Sequence, residues 1–205
     1  MQRRQKIRFE IFIYTILCLG LFSSGCTEKK QTTSIICIPD NLLQEGDLAF
    51  RRGYGMESDI VVALDKVGVY SHLGIIVKDT LKGWQIIHTV PGEATRAGEP
   101  DRIKMDDLSL FFRGDRASCG AIMRLEGETE KCKNASLQAL QLYHRGVLFD
   151  HSYDLKDTTN MYCTELIDFV FRKENICLYK DTIDKKYLLP GDIQTNKNLE
   201  VIFRF

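Results

Sequence analysis

The stretch Met161-Tyr162-Cys163-Thr164-Glu165-Leu166 decides the reading of this chain. It closes a polar run, Asp150 to Asn160, and opens an amphipathic one. Apolar residues follow at Leu166, Ile167, Phe169, Val170 and Phe171, with Asp168, Arg172 and Lys173 between them. That spacing predicts a helix with one buried face. Cys163 then falls in the first turn, where unpaired backbone N–H groups and the helix dipole favour a thiolate. A free cysteine has a pKa of about 8.5 and is only about 3% ionised at neutral pH. A helix start and a nearby imidazolium lower that pKa to ~3.5–7.5. A lone cysteine at a helix start is more often a small buried hydrophobe. Partners elsewhere in the chain must therefore supply the chemistry.

Histidine supplies them. Of the four histidines, His72 opens the β-branched run Ser71-His72-Leu73-Gly74-Ile75-Ile76-Val77. His88 lies near the end of Trp84-Gln85-Ile86-Ile87-His88-Thr89-Val90. Both runs read as strands, and the polar connection Lys78 to Gly83 suits a hairpin. Such a hairpin brings His72 and His88 together at one edge of a sheet. Either histidine alone reads as an ordinary core or surface imidazole. With Cys163 they supply a nucleophile, a base and an orienting group.

Upstream, Leu42 to Phe50 reads as a turn and a strand, and Met56 to Lys66 as a short helix. Met105 to Phe112 reads as one or two helical turns, and Gly120 to Leu125 as a strand. Lys131 to Arg145 reads as a helix, Leu188 to Ile193 as a turn into a terminal strand, and Leu199 to Phe205 as a further strand. The order predicts an α+β fold, an antiparallel sheet with helices to one side.

The chain has 205 residues, which suits one ordinary domain. Lys plus Arg equals Asp plus Glu, 28 each, so no broad electrostatic surface for nucleic acid is expected. The N-terminus reads as export signal. Arg3, Arg4, Lys6 and Arg8 precede an apolar run from Ile11 to Phe22 that is shorter than a bilayer span. Ser23-Ser24-Gly25-Cys26 then resembles a bacterial lipobox. Cleavage after Gly25 would leave Cys26 for lipid attachment, and several acyl chains on one residue anchor stably. The divisions expected are a signal over 1–25, an anchor and tether over 26–40 and a domain over 41–205. Apart from Cys18 and Cys26, five of the seven cysteines remain: Cys37, Cys119, Cys132, Cys163 and Cys177. An odd number in an exported chain suggests one free thiol, and four others could pair in three ways. No CxxC occurs, so a zinc ribbon is not expected.

Three segments together, Glu45-Gly46-Asp47-Leu48-Ala49-Phe50, Ser71-His72-Leu73-Gly74-Ile75 and Tyr162-Cys163-Thr164-Glu165-Leu166, resemble the YiiX/YaeF-like branch of the NlpC-type papain-fold enzymes. That branch is circularly permuted, with its His-bearing sheet ahead of its Cys-bearing helix, and is related to the lecithin retinol acyltransferase-like proteins. The resemblance runs from about Leu42 to Pro190. It implies a permuted papain-like fold with a small, barrel-like antiparallel sheet packed on helices. It implies Cys163 as nucleophile and His72 as general base. His88 takes the place of the third polar residue, where many members of the branch carry Glu and the acyltransferase-like relatives carry a second His. Tyr153 is a candidate oxyanion donor, or else a packed loop aromatic.

The function expected is a membrane-anchored thiol hydrolase of the bacterial cell envelope, acting on an amide or ester of a cell-wall peptide or a lipid or N-acyl group. Rivals are an acyltransferase or lipase of the same fold, a non-catalytic envelope binding module, and a zinc site built from one Cys and two His. No cofactor, resident metal or nucleic-acid partner is expected.

Overall fold

The computed structural model describes residues 36–93, 98–179 and 186–205. The expected signal and the lipobox Cys26 lie outside the described residues. Contacts divide the chain after Thr32, and every element of the fold belongs to the second unit, Thr33–Phe205.

A short 3₁₀ turn, Asp40–Leu42, leads into β1 (Leu48–Arg52) and α1 (Met56–Leu64). Next come β2 (His72–Asp79), β3 (Gly83–His88), β4 (Lys104–Asp107), α2 (Leu108–Phe111) and β5 (Cys119–Leu125). The chain ends with α3 (Thr129–His144), α4 (Cys163–Lys173), α5 (Pro190–Gln194) and β6 (Leu199–Arg204). The strands form one six-stranded sheet in the order β4-β3-β2-β1-β5-β6. Every pairing is antiparallel. The architecture is the expected α+β class.

Strand alternation separates two apolar layers. Leu48, Phe50, Leu73, Ile75, Val77, Ile87 and Met123 pack against Ala135, Ala139, Leu166, Ile167, Val170 and Phe171 of α3 and α4. Ala49, Ile76, Ile86 and Ile122 face the other way and meet Phe111 and Phe112. The longer helices thus sit on one side, as expected, while α2 covers the opposite face.

Helix α4 forms because its apolar residues recur on one stripe. Thr164, Leu166, Ile167, Val170 and Phe171 are buried, while Arg172 and Lys173 fill the last turn. The Glu165 carboxylate accepts a long hydrogen bond from the Tyr162 backbone N–H at its start, 3.4 Å. Asn175 follows with φ +58°, a left-handed conformation common just beyond helix ends.

Three expectations change. Met105 to Phe112 is not one helix: Lys104–Asp107 is an edge strand paired with β3, and only Leu108–Phe111 turns helical. Leu188 to Ile193 does not enter a strand; Pro190 starts the short helix α5, with its fixed φ suited to a first helical position. Cys37, Cys119, Cys132, Cys163 and Cys177 are all free thiols, so none of the possible pairings is realised. Ile36 and Ile38, which fall within the expected tether, pack against the Phe111 layer.

Gly74 lets the two strands of the β2–β3 hairpin close up beside the histidines. It shares a face with His72, and a Cβ there would lie 2.8 Å from the Ile87 carbonyl and 2.9 Å from His88 Cβ. Only a residue without a side chain lets β3 approach so closely. Gly74→Ala should cost about 1–3 kcal/mol, lowering the melting temperature by roughly 2–12 °C. Thermal unfolding checks this, and an unchanged melting point would show that His88 can move aside freely.

Candidate active site

The hairpin sets the geometry. Ile75 pairs with Ile87 and Ile76 with Ile86, so His72 and His88 come side by side on the Phe111 face. His72 Nε2 and His88 Nδ1 are 2.9 Å apart, a direct hydrogen bond between two buried rings. His88 Nε2 lies 3.1 Å from Asp106 Oδ2. Asp106 reaches this point because β4 pairs with β3, placing it opposite Ile86. The result is a line, His72–His88–Asp106, across three adjacent strands.

Charge surrounds the line. Lys104 Nζ is 3.1 Å and Arg116 Nη1 3.4 Å from Asp106 Oδ2. Both cations also bind Glu93, as does Arg51, whose Nη2 is 2.8 Å from Glu93 Oε1. Burial raises the Asp106 pKa, but its bond to His88 and the Lys104 charge outweigh that and hold it below the usual carboxylate range. Burial is the main force lowering both histidines; Arg51 and Lys104 push each further down. At neutral pH the line therefore holds a carboxylate and two neutral imidazoles.

Cys163 approaches from the α4 side. The backbone N–H groups of Leu73, Thr164 and Cys163 itself and the Arg51 charge all act to lower the thiol pKa. Leu73 follows His72 in β2, and Cys163 packs against the layer that contains Leu73. No thiol–imidazole hydrogen bond joins Cys163 to His72. Such bonds are often loose before a substrate arrives. Part of the Cys163 surface stays exposed, but dense packing around the sulfur desolvates it. Desolvation wins over the helix start and raises the thiol to about 11. The activated thiolate expected from the helix dipole is not the resting form.

Tyr153 lies on the loop before α4. Asp150, itself buried, accepts from the backbone N–H groups of Ser152 and Asp154 at 2.8 and 2.7 Å and pins that loop. Tyr153 takes φ +54° and its ring sits 5.2 Å from that of Tyr162. Burial and the Cys163 charge both raise its phenol pKa. His144 and His151 stand outside the line; His151 faces Asp101, 3.7 Å away.

Sequence reading named Cys163, His72, His88 and Tyr153 as candidates and did not name Asp106 or Arg51. Asp106 was hidden by the helical reading of Met105 to Phe112. Lys104 and Asp106 do alternate with Ile103 and Met105, which is a strand signal.

No family model matches the chain, and no curated protein matches its sequence. Among solved structures it is similar to YiiX of Escherichia coli O157:H7, described as a metalloprotein. Identity is 16%, the TM-score is 0.62, and the match covers 79% of this chain and 97% of that one. The donors here do not suit a metal. Among the described residues no three His, Cys, Asp or Glu side chains are grouped to hold one. His72, His88 and Asp106 are engaged with each other, and Lys104 and Arg116 would repel a divalent cation beside Asp106.

Glu165 offers a separate test of this region. Burial raises its carboxyl to about 8, helped by Asp150, Asp157 and Asp154. A pKa raised on folding gives stability that is full below the unfolded value, about 4.3, and is lost as pH climbs through 8. Glu165→Gln should flatten the fall in melting temperature between pH 5 and 9. Parallel curves for parent and variant would mean that Glu165 is already ionised at neutral pH. With its six-stranded antiparallel sheet packed against helices, the chain has a YiiX-like fold.

Proposed function

We propose that the chain is a cysteine hydrolase of the cell envelope, forming an acyl-enzyme on Cys163 from an amide or ester. The observation that carries this reading is the His72–His88–Asp106 line, which ends at the residue before Leu73, in the layer that Cys163 packs against.

The line fixes tautomers. Asp106, ionised, accepts the proton of His88 Nε2. Neutral His88 then has a bare Nδ1, which must accept from His72 Nε2–H. His72 is left with an unprotonated Nδ1, the form a general base requires. In the reaction that nitrogen takes the thiol proton as sulfur bonds to the carbonyl carbon. The oxyanion is met by the Cys163 backbone N–H and the Tyr153 hydroxyl. The imidazolium returns its proton to the departing amine or alkoxide, and the C–N or C–O bond breaks. His72 next deprotonates a water that attacks the thioester, releasing acid and thiol.

Cys163→Ala should abolish turnover while leaving the melting temperature near that of the parent. His72→Ala should cost about 10²–10⁴-fold in kcat/KM. Asp106→Asn and His88→Ala should cost less, since both reacting groups stay in place, and His88→Gln should recover part of the loss. Activity of Cys163→Ala within a few-fold of the parent would refute the assignment. So would equal losses at His72 and at a distant surface histidine such as His144. Cell-wall peptides and N-acyl lipids are the substrates to assay. Product analysis with and without an added amine separates hydrolysis from transfer.

The expected envelope location is tested at Cys26. Cys26→Ser should leave the chain unprocessed or release it from membranes. No helix among the described residues is long and apolar enough to span a bilayer. Unchanged processing and membrane association in Cys26→Ser would show that another feature anchors the chain.

A further inference from the structure

Arg51 is placed unusually for a guanidinium. Its side chain is 3% exposed, on the strand register directly opposite His72. Nη1 donates to the Phe111 carbonyl at 2.9 Å and Nη2 to Glu93 at 2.8 Å. The Phe111 ring, 4.7 Å from the guanidinium carbon, is also in contact with His72 and His88. Nε is buried and has no hydrogen-bond partner. A buried donor left unpaired costs free energy, roughly 1–3 kcal/mol in general, and calls for an explanation. Packing alone would be served by an apolar residue here.

We infer that Arg51 is a positioning residue: a clamped, buried positive charge that keeps His72 unprotonated and stabilises negative charge on Cys163. The inference rests on the reading of Cys163 as the reacting group. Its basis is geometric. Phe111 and Glu93 fix the guanidinium, the β1–β2 register sets it beside His72, and Cys163 packs against the layer that contains Leu73, one residue further on. With both imidazoles neutral at rest, no imidazolium favours a thiolate before the thiol proton is transferred.

The groups around this point are few. His72 is faced by Arg51, His88 and Lys104. Arg51 is faced by Glu93, Arg116 and Asp106. From the α4 side come Cys163 and, beside it, Tyr153 and Tyr162. Among Arg51, Lys104, Arg116, Glu93 and Asp106, three positive charges stand against two negative, an excess of one. A nearby cation disfavours a protonated imidazole and favours a thiolate, so it lowers both pKa values. Removing it raises both. A purely structural arginine would change the amount of active protein and leave the titrations where they were.

The test is alkylation of Cys163 by iodoacetamide across pH, read by peptide mass spectrometry on the full chain. Peptide-level reading separates Cys163 from the other free thiols. In Arg51→Gln the alkylation midpoint should rise by about one pH unit, a roughly tenfold slower reaction below it. Arg51→Lys, which keeps the charge, should return the midpoint at least halfway. The acid limb of turnover, set by His72, should shift upward in Arg51→Gln as well. If Arg51→Gln does not fold, Glu93→Gln gives the opposite sign. It removes a nearby negative charge, and the midpoint should fall.

A folded Arg51→Gln with an unshifted midpoint overturns the inference, as does a rising midpoint in Glu93→Gln. Alkylation needs no substrate. A chain that alkylates as expected but turns nothing over would sink the hydrolase reading and leave the role of Arg51 intact.

Discussion

The hydrogen bond between His72 and His88 is the constraint on which the site depends. Two imidazoles buried side by side can share one proton in that bond only if one donates and the other accepts. Protonating both would place two charges 2.9 Å apart in a desolvated layer. The bond is therefore a demand for neutrality, and the surroundings enforce it. Asp106 anchors the far end, and the cations around it oppose any further positive charge on the rings. The hairpin register supplies the contact, and Gly74 clears the space for it.

Neutrality changes what the helix start has to do. A helix dipole and an imidazolium would together hold a thiolate in the resting state. Here burial of the sulfur outweighs the backbone N–H groups that favour its ionised form. Those groups still count during reaction. A desolvated site is poor at hosting charge at rest, yet its fixed dipoles act strongly on charge that develops in place. A thiol that ionises only as its proton leaves for His72 spends no resting stability on an exposed anion. On the proposed mechanism, backbone amides around Cys163 would act on the transition state more than on the ground state.

Much of this was legible in the sequence, for identifiable reasons. The helix at Cys163 announced itself through Leu166, Ile167, Val170 and Phe171, whose spacing no strand reproduces. The hairpin was legible because two β-branched runs flank a polar connection of the right length, and it carried both histidines. Asp106 was not legible. Strand β4 has only four residues, two of them acidic, and it lies at a sheet edge where charge is tolerated. Its tail runs directly into α2, so apolar Leu108, Leu110 and Phe111 lent the whole stretch a helical period. Arg51 was missed for a different reason. A charged residue ending an apolar strand normally marks the surface, and only the third dimension shows Phe111 folded over it.

The two faces of the sheet explain why those two residues escaped together. Sequence periodicity reports that a side chain is buried, not which layer it enters. Cys163 arrives on the face lined by Leu73 and Ile75, whereas the histidines stand on the face of Ile76 and Ile86. A site drawn from either layer alone would look incomplete: a desolvated thiol on one side, a neutral histidine pair beside a charge cluster on the other. They are joined only at the start of β2, where the backbone of Leu73 turns one way and the side chain of His72 the other. Strand alternation thus puts Cys163 on one face of the sheet and the histidine network on the other, out of the main core. The second apolar layer under α2 is what keeps the network dry, because Phe111 and Phe112 close it from solvent on the side the long helices do not cover.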